Sequence, residues 1–278
     1  MKLSQTPGPI GVFDSGYGGL TILHQMRQLL PQYDYLYLGD NARAPYGPRS
    51  FDIVYQFTRE AVTKLFAMGC QLVILACNTA SAKALRTIQQ NDLPEIDPDR
   101  RVLGVIRPTA ECIGQITQSR HVGIFATTGT IRSESYVLEI NKLYPDITVT
   151  GEPCPMWVPL IENNEYDSPG ADYFVEKRIG NLMRRDPKID SIILGCTHYP
   201  LLLNKILKYV PRGVRIIPQG EYVANSLKDY LHRHPEMDAR CSKGGRCRYL
   251  TTESTAKFRE SAQLFLHEEV DVKKVTLE

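Results

Sequence analysis

The sequence predicts an α/β protein built from two similar parallel-sheet domains. Short apolar runs recur along the chain, and helical patterns follow most of them, which is the rhythm of parallel βαβ units. The chain also nearly repeats itself, because IGVFDSGYGGLT (10–21) is echoed by VGIFATTGTIRS (122–133). LVILACNTA (72–80) is echoed in the same order by SIILGCTHYP (191–200). These echoes predict two lobes with a cleft between them.

Composition sets the limits for function. The 278 residues are 42% hydrophobic and 23% charged, which is ample material for a packed core. A formal net charge of +2 gives no strong field for nucleic acid or a membrane surface. The first residues lack the apolar segment of a signal peptide, and no run approaches about 18 apolar residues. We therefore expect a cytoplasmic protein without nucleic-acid or membrane partners.

The strands are predicted from runs of apolar residues, which are typical of buried parallel strands. These runs are IGVF (10–13), YLYL (35–38), LVILA (72–76), VLGVI (102–106), VGIFA (122–126), SIIL (191–194) and VRII (214–217).

Helices are predicted after several of these strands. The clearest cover residues 19–30, 50–69 and 79–90. The second begins at a Ser that can cap the helix and ends at a Gly that can terminate it. LLLNKILKYV (201–210), which follows a Pro, predicts another helix.

Two boundaries divide the chain. NDLPEIDPDRR (91–101) is rich in Pro and charge, and YVPRGV (209–214) precedes a less distinctive tail. Periodicity alone leaves open whether that tail forms its own unit or folds back on the first lobe.

Cys77 and Cys196 are the candidate catalytic residues. Each lies at the carboxyl end of a predicted strand and before a predicted helix start, so facing lobes would bring both thiols to one cleft. A helix start is expected to lower the pKa of a thiol. A lone Cys after an apolar strand is more often a small core residue, the interpretation kept for Cys70, Cys112 and Cys154. The matched surroundings of the pair favour function.

Two thiols suit the inversion of a stereocentre. Moving a proton from one face of a carbon to the other needs a base on one side and an acid on the other. Preorganised donors must stabilise the developing enolate, and the backbone N–H groups around Asn78, Thr79 and Thr197 are expected to do so.

Three ionisable residues could tune the thiols. Asp14 ends the first strand, His198 lies two residues after Cys196, and Glu162 ends CPMWVPLIE (154–162). A cap or a satisfied hydrogen bond is the ordinary role of such an Asp or His. Proximity to the thiols favours a functional role for Asp14 and His198.

Six motifs, spread over residues 10–205, resemble bacterial glutamate racemase: GVFDSGYGGLT, YLGDNARAPYG, ILACNTASA, GIFATTGTIRSESY, CPMWVPLIE and ILGCTHYPLL. The resemblance implies a cofactor-independent racemase that needs neither pyridoxal phosphate nor metal and makes D-glutamate for peptidoglycan. It also implies that the tail packs on the first lobe. The predicted domains are then 1–100 plus 212–278, carrying Cys77, and 101–211, carrying Cys196.

The resemblance also implies roles for individual residues. Cys77 would serve the D-enantiomer and Cys196 the L-enantiomer, and Asp14, Glu162 and His198 would be auxiliary catalytic groups. The implied contacts to the substrate, glutamate, are Asp14, Ser15, Tyr46, Gly47, Asn78, Thr79, Thr197 and His198. A homodimer is possible. Arg107 and the pair Gln219-Gly220 depart from the family pattern, which leaves dimer geometry and regulation open.

Other enzymes and other classes of protein fit the sequence less well. A dehydrogenase is disfavoured because Thr21 stands where G-x-G-x-x-G needs its third glycine, and because Asp14 would repel a pyrophosphate. An aspartate or hydantoin racemase could use the same chemistry. A non-catalytic amino-acid-binding protein could have two lobes and a cleft, but it would not need paired thiols.

The region near the C-terminus contains further metal-ligating and basic residues. His232, His234, Cys241 and Cys247 could suggest zinc, but the two thiols are six residues apart rather than the usual two to four. A second group, formed by Arg240, Lys243, Arg246 and Arg248, is predicted to be a solvated basic turn without nucleic-acid contact.

Overall fold

The computed structural model describes residues 6–277, and its strands form two parallel sheets. In chain order the strands are β1 Ile10–Asp14, β2 Tyr35–Gly39, β3 Leu72–Leu75, β4 Arg101–Gly104, β5 His121–Ala126, β6 Thr148–Pro153, β7 Ser191–Gly195, β8 Arg215–Ile217, β9 Cys247–Thr251 and β10 Val272–Lys274. One sheet has the order β10-β9-β2-β1-β3-β4, and the other has the order β6-β5-β7-β8. The predicted fold class, α/β with two parallel sheets, is confirmed.

Helices connect these strands. They are α1 Leu20–Leu29, α2 Phe51–Ala67, α3 Asn78–Lys83, α4 Leu85–Thr87, α5 Leu93–Ile96, α6 Ile106–Ile116, α7 Thr128–Arg132, α8 Ser135–Leu143, α9 Trp157–Glu162, α10 Pro169–Arg185, α11 Leu203–Tyr209, α12 Gly220–Arg233, α13 Pro235–Asp238 and α14 Thr255–Leu266. Single turns of 3₁₀-helix cover Asn41–Arg43 and Tyr199–Leu202, and a π-helical turn covers Ile88–Asp92.

The second predicted helix shows how the sequence determines helix ends. The Oγ of Ser50 accepts a hydrogen bond from the backbone N–H of Ile53 at 3.4 Å, as expected of a cap. Gly69 lies just beyond the other end with a φ of +97°, in the left-handed region that favours glycine. Both predicted signals are therefore present.

Strand pairing suggests a division of the domains that differs slightly from the predicted one. Arg101–Gly104 pairs with β3, so it belongs to the first sheet although it follows residue 100. Arg215–Ile217 pairs with β7 in the second sheet, although it follows residue 211. We propose that the domains follow the sheets, with crossings after Gly104 and after Ile217. On this division the tail returns to the first sheet, because β9 pairs with β2.

The basic turn near the C-terminus is exposed at Lys243, Arg246 and Arg248, as predicted, but some of its side chains also have partners. The guanidinium of Arg240 donates to the side chain of Gln71 at 2.9 Å, and Lys243 forms an ion pair with Asp238 at 2.7 Å. Gln71 is distant in sequence from Arg240, so the sequence pattern could not indicate this partner.

Within residues 6–277, no group of three or more His, Cys, Asp or Glu side chains could hold a metal ion. None of the helices in that range is long and apolar enough to cross a membrane.

Candidate active site

Cys77 and Cys196 border the same cavity, which has a volume of about 220 Å³. Cys77 follows β3 of the first sheet, and Cys196 follows β7 of the second sheet. The carboxyl ends of the two sheets therefore supply one thiol each. Most of the other predicted site residues also line this cavity: Ser15, Tyr46, Gly47, Asn78, Thr79, Glu162, Thr197 and His198.

Cys77 is the N-cap residue of α3, as predicted. Its Sγ accepts a long hydrogen bond from the backbone N–H of Ala80 at 3.4 Å and lies 3.3 Å from the Oγ of Ser15. Burial nevertheless raises the pKa of this thiol to about 12, and the charge of Asp14 adds to the rise. The prediction that the helix start lowers the pKa is wrong for Cys77, because desolvation outweighs the hydrogen bonds.

Cys196 has a different neighbourhood. The helical turn after it begins at Tyr199, so His198 rather than Cys196 occupies the N-cap position. The Nδ1 of His198 lies 3.9 Å from the Sγ of Cys196, and its Nε2 lies 3.0 Å from the Oε1 of Glu162. Glu162, His198 and Cys196 are therefore arranged in series, with the imidazole of His198 between the carboxylate and the thiol.

His198 is buried and carries a raised pKa. Burial by itself would lower the pKa, but the hydrogen bonds and charges of Cys196 and Glu162 outweigh it and raise the pKa to about 10. The imidazole is therefore protonated at neutral pH and places a positive charge beside the Cys196 thiol.

Asp14 lies behind the cavity wall rather than in it. Its Oδ2 accepts a hydrogen bond from the backbone N–H of Gly16 at 2.9 Å, and its Oδ1 has no hydrogen-bond partner within the described residues. Burial raises the pKa of this carboxyl, although the charge of His198 opposes the rise. The direct contact of Asp14 with a ligand therefore stays a prediction, and the structure shows its side chain hydrogen-bonded to the turn that follows it.

A buried carboxylate supports the loop that carries Tyr46 and Gly47. The hydroxyl of Tyr46 donates to the Oδ2 of Asp40 at 2.5 Å, and the Nε of Arg43 donates to the same oxygen at 2.7 Å. The hydroxyl of Thr252 donates to Oδ1 at 2.9 Å. Asp40 therefore ties this wall of the cavity to the C-terminal tail.

The whole chain that forms this cavity resembles known proteins. A sequence model of the Asp/Glu/hydantoin racemase family matches residues 15–227. The chain belongs to this racemase family. A glutamate racemase of Ruegeria sp. (strain TM1040) is 40% identical over 271 residues, which cover 94% of this chain and 97% of that protein.

Solved racemases share the whole fold. The crystal structure of a glutamate racemase from Bacillus anthracis matches with a TM-score of 0.88 and 33% identity, covering 97% of this chain and 98% of that one. The glutamate racemase of Francisella tularensis, solved in complex with D-glutamate, matches with a TM-score of 0.87 and 32% identity over 98% of both chains. The chain is accordingly an isomerase of the racemase family.

Some residues of this racemase cavity were not predicted from the sequence. Thr127 and Thr128 line it from the start of α7, and the Oγ1 of Thr127 lies 3.0 Å from the Oγ1 of Thr79. Their segment is part of the internal echo and of one of the six resemblance motifs, but neither residue was assigned to the site, although the echo of the Asp14 turn could have indicated them. The remaining unpredicted lining residues are Gly16, Ala44, Pro45, Pro48, Cys154, Pro155, Val158 and Pro159.

Proposed function

We propose that this protein interconverts L- and D-glutamate by a two-thiol mechanism that needs no cofactor. The observation that carries the proposal is the pair of thiols, Cys77 and Cys196, which border one cavity from two separate sheets. Proton transfer at Cα with inversion needs one proton-transfer group on each face of the substrate. The relatives named glutamate racemase, one of them solved with D-glutamate, support glutamate as the substrate.

The two thiols are proposed to rest in different protonation states. The imidazolium of His198, 3.9 Å from Sγ, serves as counter-ion for a Cys196 thiolate. Cys77, with its raised pKa, rests as the neutral thiol. From L-glutamate, the Cys196 thiolate takes the Cα proton, and the Cys77 thiol gives its proton to the opposite face of the same carbon. The reverse reaction exchanges these roles.

Proton transfer by the thiols supplies only part of the acceleration. Positioned acids and bases contribute about 10² to 10⁴ in rate, whereas enzymes lower barriers by about 8 to 23 kcal/mol in total. Backbone and side-chain donors around Asn78, Thr79 and Thr197 are proposed to hold the carboxylate as it gains enolate character. Ser15, Tyr46 and Gly47 are proposed to complete the substrate contacts, with Asp14 acting electrostatically from behind the wall.

The wider biological role is also a proposal. D-glutamate would be supplied for bacterial peptidoglycan, which fits the resemblance to glutamate racemases. A cytoplasmic location and a homodimer belong to the same proposal.

Isotope exchange tests the reaction. The protein is incubated with L-glutamate in D₂O, and deuterium at Cα is followed by NMR while optical rotation is followed by polarimetry. We expect deuterium to enter at Cα as rotation is lost. An absence of both would refute racemisation, and faster exchange with L-aspartate than with L-glutamate would reassign the substrate.

Replacing each thiol tests the mechanism. Cys77→Ser and Cys196→Ser are each expected to lower the racemisation rate by at least about 10², because a hydroxyl is a much weaker base than a thiolate. Cys112→Ser is the matched control, since this partly buried thiol contacts the carbonyl of Thr109 and lies outside the cavity lining. Near-normal rates in either of the first two variants would contradict the two-thiol mechanism.

A further inference from the structure

A closed ring of hydrogen bonds lies beside the Cys77 end of the cavity. The Nδ2 of Asn78 donates to the Oε1 of Gln219 at 2.6 Å. The Nε2 of Gln219 donates to the hydroxyl of Tyr136 at 2.6 Å, and that hydroxyl donates to the Oδ1 of Asn78 at 2.7 Å. All three side chains are buried, so water does not compete for these bonds.

The ring joins three separate parts of the chain. Asn78 opens α3, directly after Cys77, and Tyr136 belongs to α8, which packs on the second sheet. Gln219 lies in the short segment between β8 and α12, where the chain returns toward the first sheet. The ring therefore forms only when both sheets and this return segment are in place.

A backbone carbonyl sets the direction of the ring. The Nε2 of Gln219 also lies 3.1 Å from the carbonyl oxygen of Val105, which can only accept a hydrogen bond. This contact requires the amide nitrogen of Gln219 on that side, so its oxygen must face Asn78. The side chain of Asn78 must then present nitrogen to Gln219 and oxygen to Tyr136. If the side-chain amide of Asn78 or Gln219 were flipped, two hydrogen-bond acceptors or two donors would face each other.

We infer that Gln219 and Tyr136 are positioning residues that hold the Asn78 amide in one orientation for the substrate. One of the two Nδ2 protons of Asn78 takes part in the ring, and the other is available to a ligand. Asn78 also borders the cavity. The free N–H is the group that would donate to the substrate carboxylate, a step that rests on the proposed function. Neither Gln219 nor Tyr136 lines the cavity, so both act through Asn78.

Tyr136→Phe is the smallest test, because it removes one hydroxyl and keeps the ring that packs in the core. We expect kcat/KM for glutamate to fall by about tenfold, the usual scale for loss of a group that orients a contact residue. The fall should be equal for both enantiomers, since they have equal free energy. Gln219→Met serves as a second variant, and thermal unfolding of each reports whether the fold is retained.

A double-mutant cycle separates positioning from a purely structural role. If Tyr136 acts through Asn78, adding Tyr136→Phe to Asn78→Ala should cause no further loss. The cycle is measured both on kcat/KM and on the dissociation constant of glutamate by calorimetry, so it can be completed even where turnover is slow. Thr109→Val is the matched control: its Oγ1 lies 3.0 Å from the Nε2 of Gln219 but outside the ring, and it should change activity by less than about twofold.

The outcomes are distinct. The positioning inference would be overturned if Tyr136→Phe lowered kcat/KM equally in the parent and in the Asn78→Ala protein. It would also be overturned if Tyr136→Phe folded and kept full activity, and in both cases the racemase itself would still be active. A parent protein that exchanges no Cα proton of glutamate would overturn the proposed function and this inference with it.

Discussion

Cys77 and Cys196 occupy equivalent places in two sheets, yet the residues that follow them differ. Asn78 and Thr79 follow the first thiol, whereas Thr197 and His198 follow the second. The first thiol gains a hydroxyl, a nearby carboxylate and a raised pKa. The second gains an imidazolium. The two thiols therefore have different electrostatic surroundings, although they occupy equivalent places in their sheets.

The charge of Glu162 is expected to set the alkaline limit of activity. The pKa of His198 is raised to about 10 from its usual 6.5, so its contribution to stability is complete below pH 6.5 and is lost as the pH rises through about 10. Glu162→Gln removes part of what raises this pKa. The alkaline fall of kcat with L-glutamate should therefore move to lower pH, which full pH–rate profiles of parent and variant will measure.

A matched control comes from the same loop. Glu165→Gln removes the same charge from an exposed position three residues further on and should leave the profile in place. If Glu162→Gln and Glu165→Gln gave superimposable profiles, the imidazolium would not depend on Glu162.

The residue types in the sequence predicted which side chains form the site better than they predicted the pKa values of those side chains. His198 was predicted to lie near the thiols, whereas the position of Glu162 was indicated only by the family resemblance. In the structure His198 lies between Cys196 and Glu162 and contacts both. The pKa of Cys77 was predicted in the wrong direction. This error concerns burial, which depends on the distant segments that pack around a residue and is not encoded at the residue itself.

At the scale of elements, the turn after β1 packs tightly against the Cys196 segment of the other sheet. A Cβ added at Gly18 would lie 2.3 Å from the Oγ1 of Thr197 and 2.4 Å from the Nδ1 of His198. No side chain fits in that space. Glycine at this position therefore allows the two segments to approach one another, a requirement unrelated to the binding of a dinucleotide.

Gly18→Ala is expected to displace His198 and lower kcat by about 10², the scale of a misplacement of about 1 Å at a catalytic group. Steady-state racemisation, followed by circular dichroism, measures the loss. Gly170→Ala is the control, because the atom nearest to a Cβ there is the Oγ of Ser168 at 3.4 Å. A fully active Gly18→Ala protein would show that the turn has room to move.

Some of the strands were predicted from the sequence, and others were missed. Every apolar run taken as a strand overlaps one, although the run 102–106 extends past β4 to the first residue of α6, and β6, β9 and β10 were missed. Thr148–Pro153 and Val272–Lys274 are edge strands and carry polar residues, Gly or Pro in place of a continuous apolar run. Cys247–Thr251 is as long as β1, but it contains Arg248 and Thr251 and so shows no continuous apolar run. A continuous apolar run indicates a strand that is buried on both faces, so it cannot indicate β6, β9 or β10.

At the scale of the whole molecule, the site exists only between the two sheets. The chain crosses from one sheet to the other after Gly104 and returns after Ile217, and the cavity takes its walls from both sides of these crossings. The internal echo in the sequence could predict two lobes but not the relative orientation that closes the cavity. That orientation depends on contacts such as those of Gln219 and Gly18, which join segments far apart in sequence.

A ligand held by both lobes should stabilise both of them. In the doubly substituted Cys77→Ser, Cys196→Ser protein, which keeps glutamate as one enantiomer, saturating L-glutamate should raise the unfolding midpoint in calorimetry. A ligand at about 100 times its dissociation constant adds about 2.7 kcal/mol, which corresponds to about 5 °C for a chain of this size. L-Lysine at equal concentration is the control, because it shares the α-carboxylate but reverses the charge of the side chain. If two transitions are resolved, glutamate should raise both, whereas a shift in one alone would mean that a single lobe holds the ligand and that the cavity does not bridge the sheets in solution.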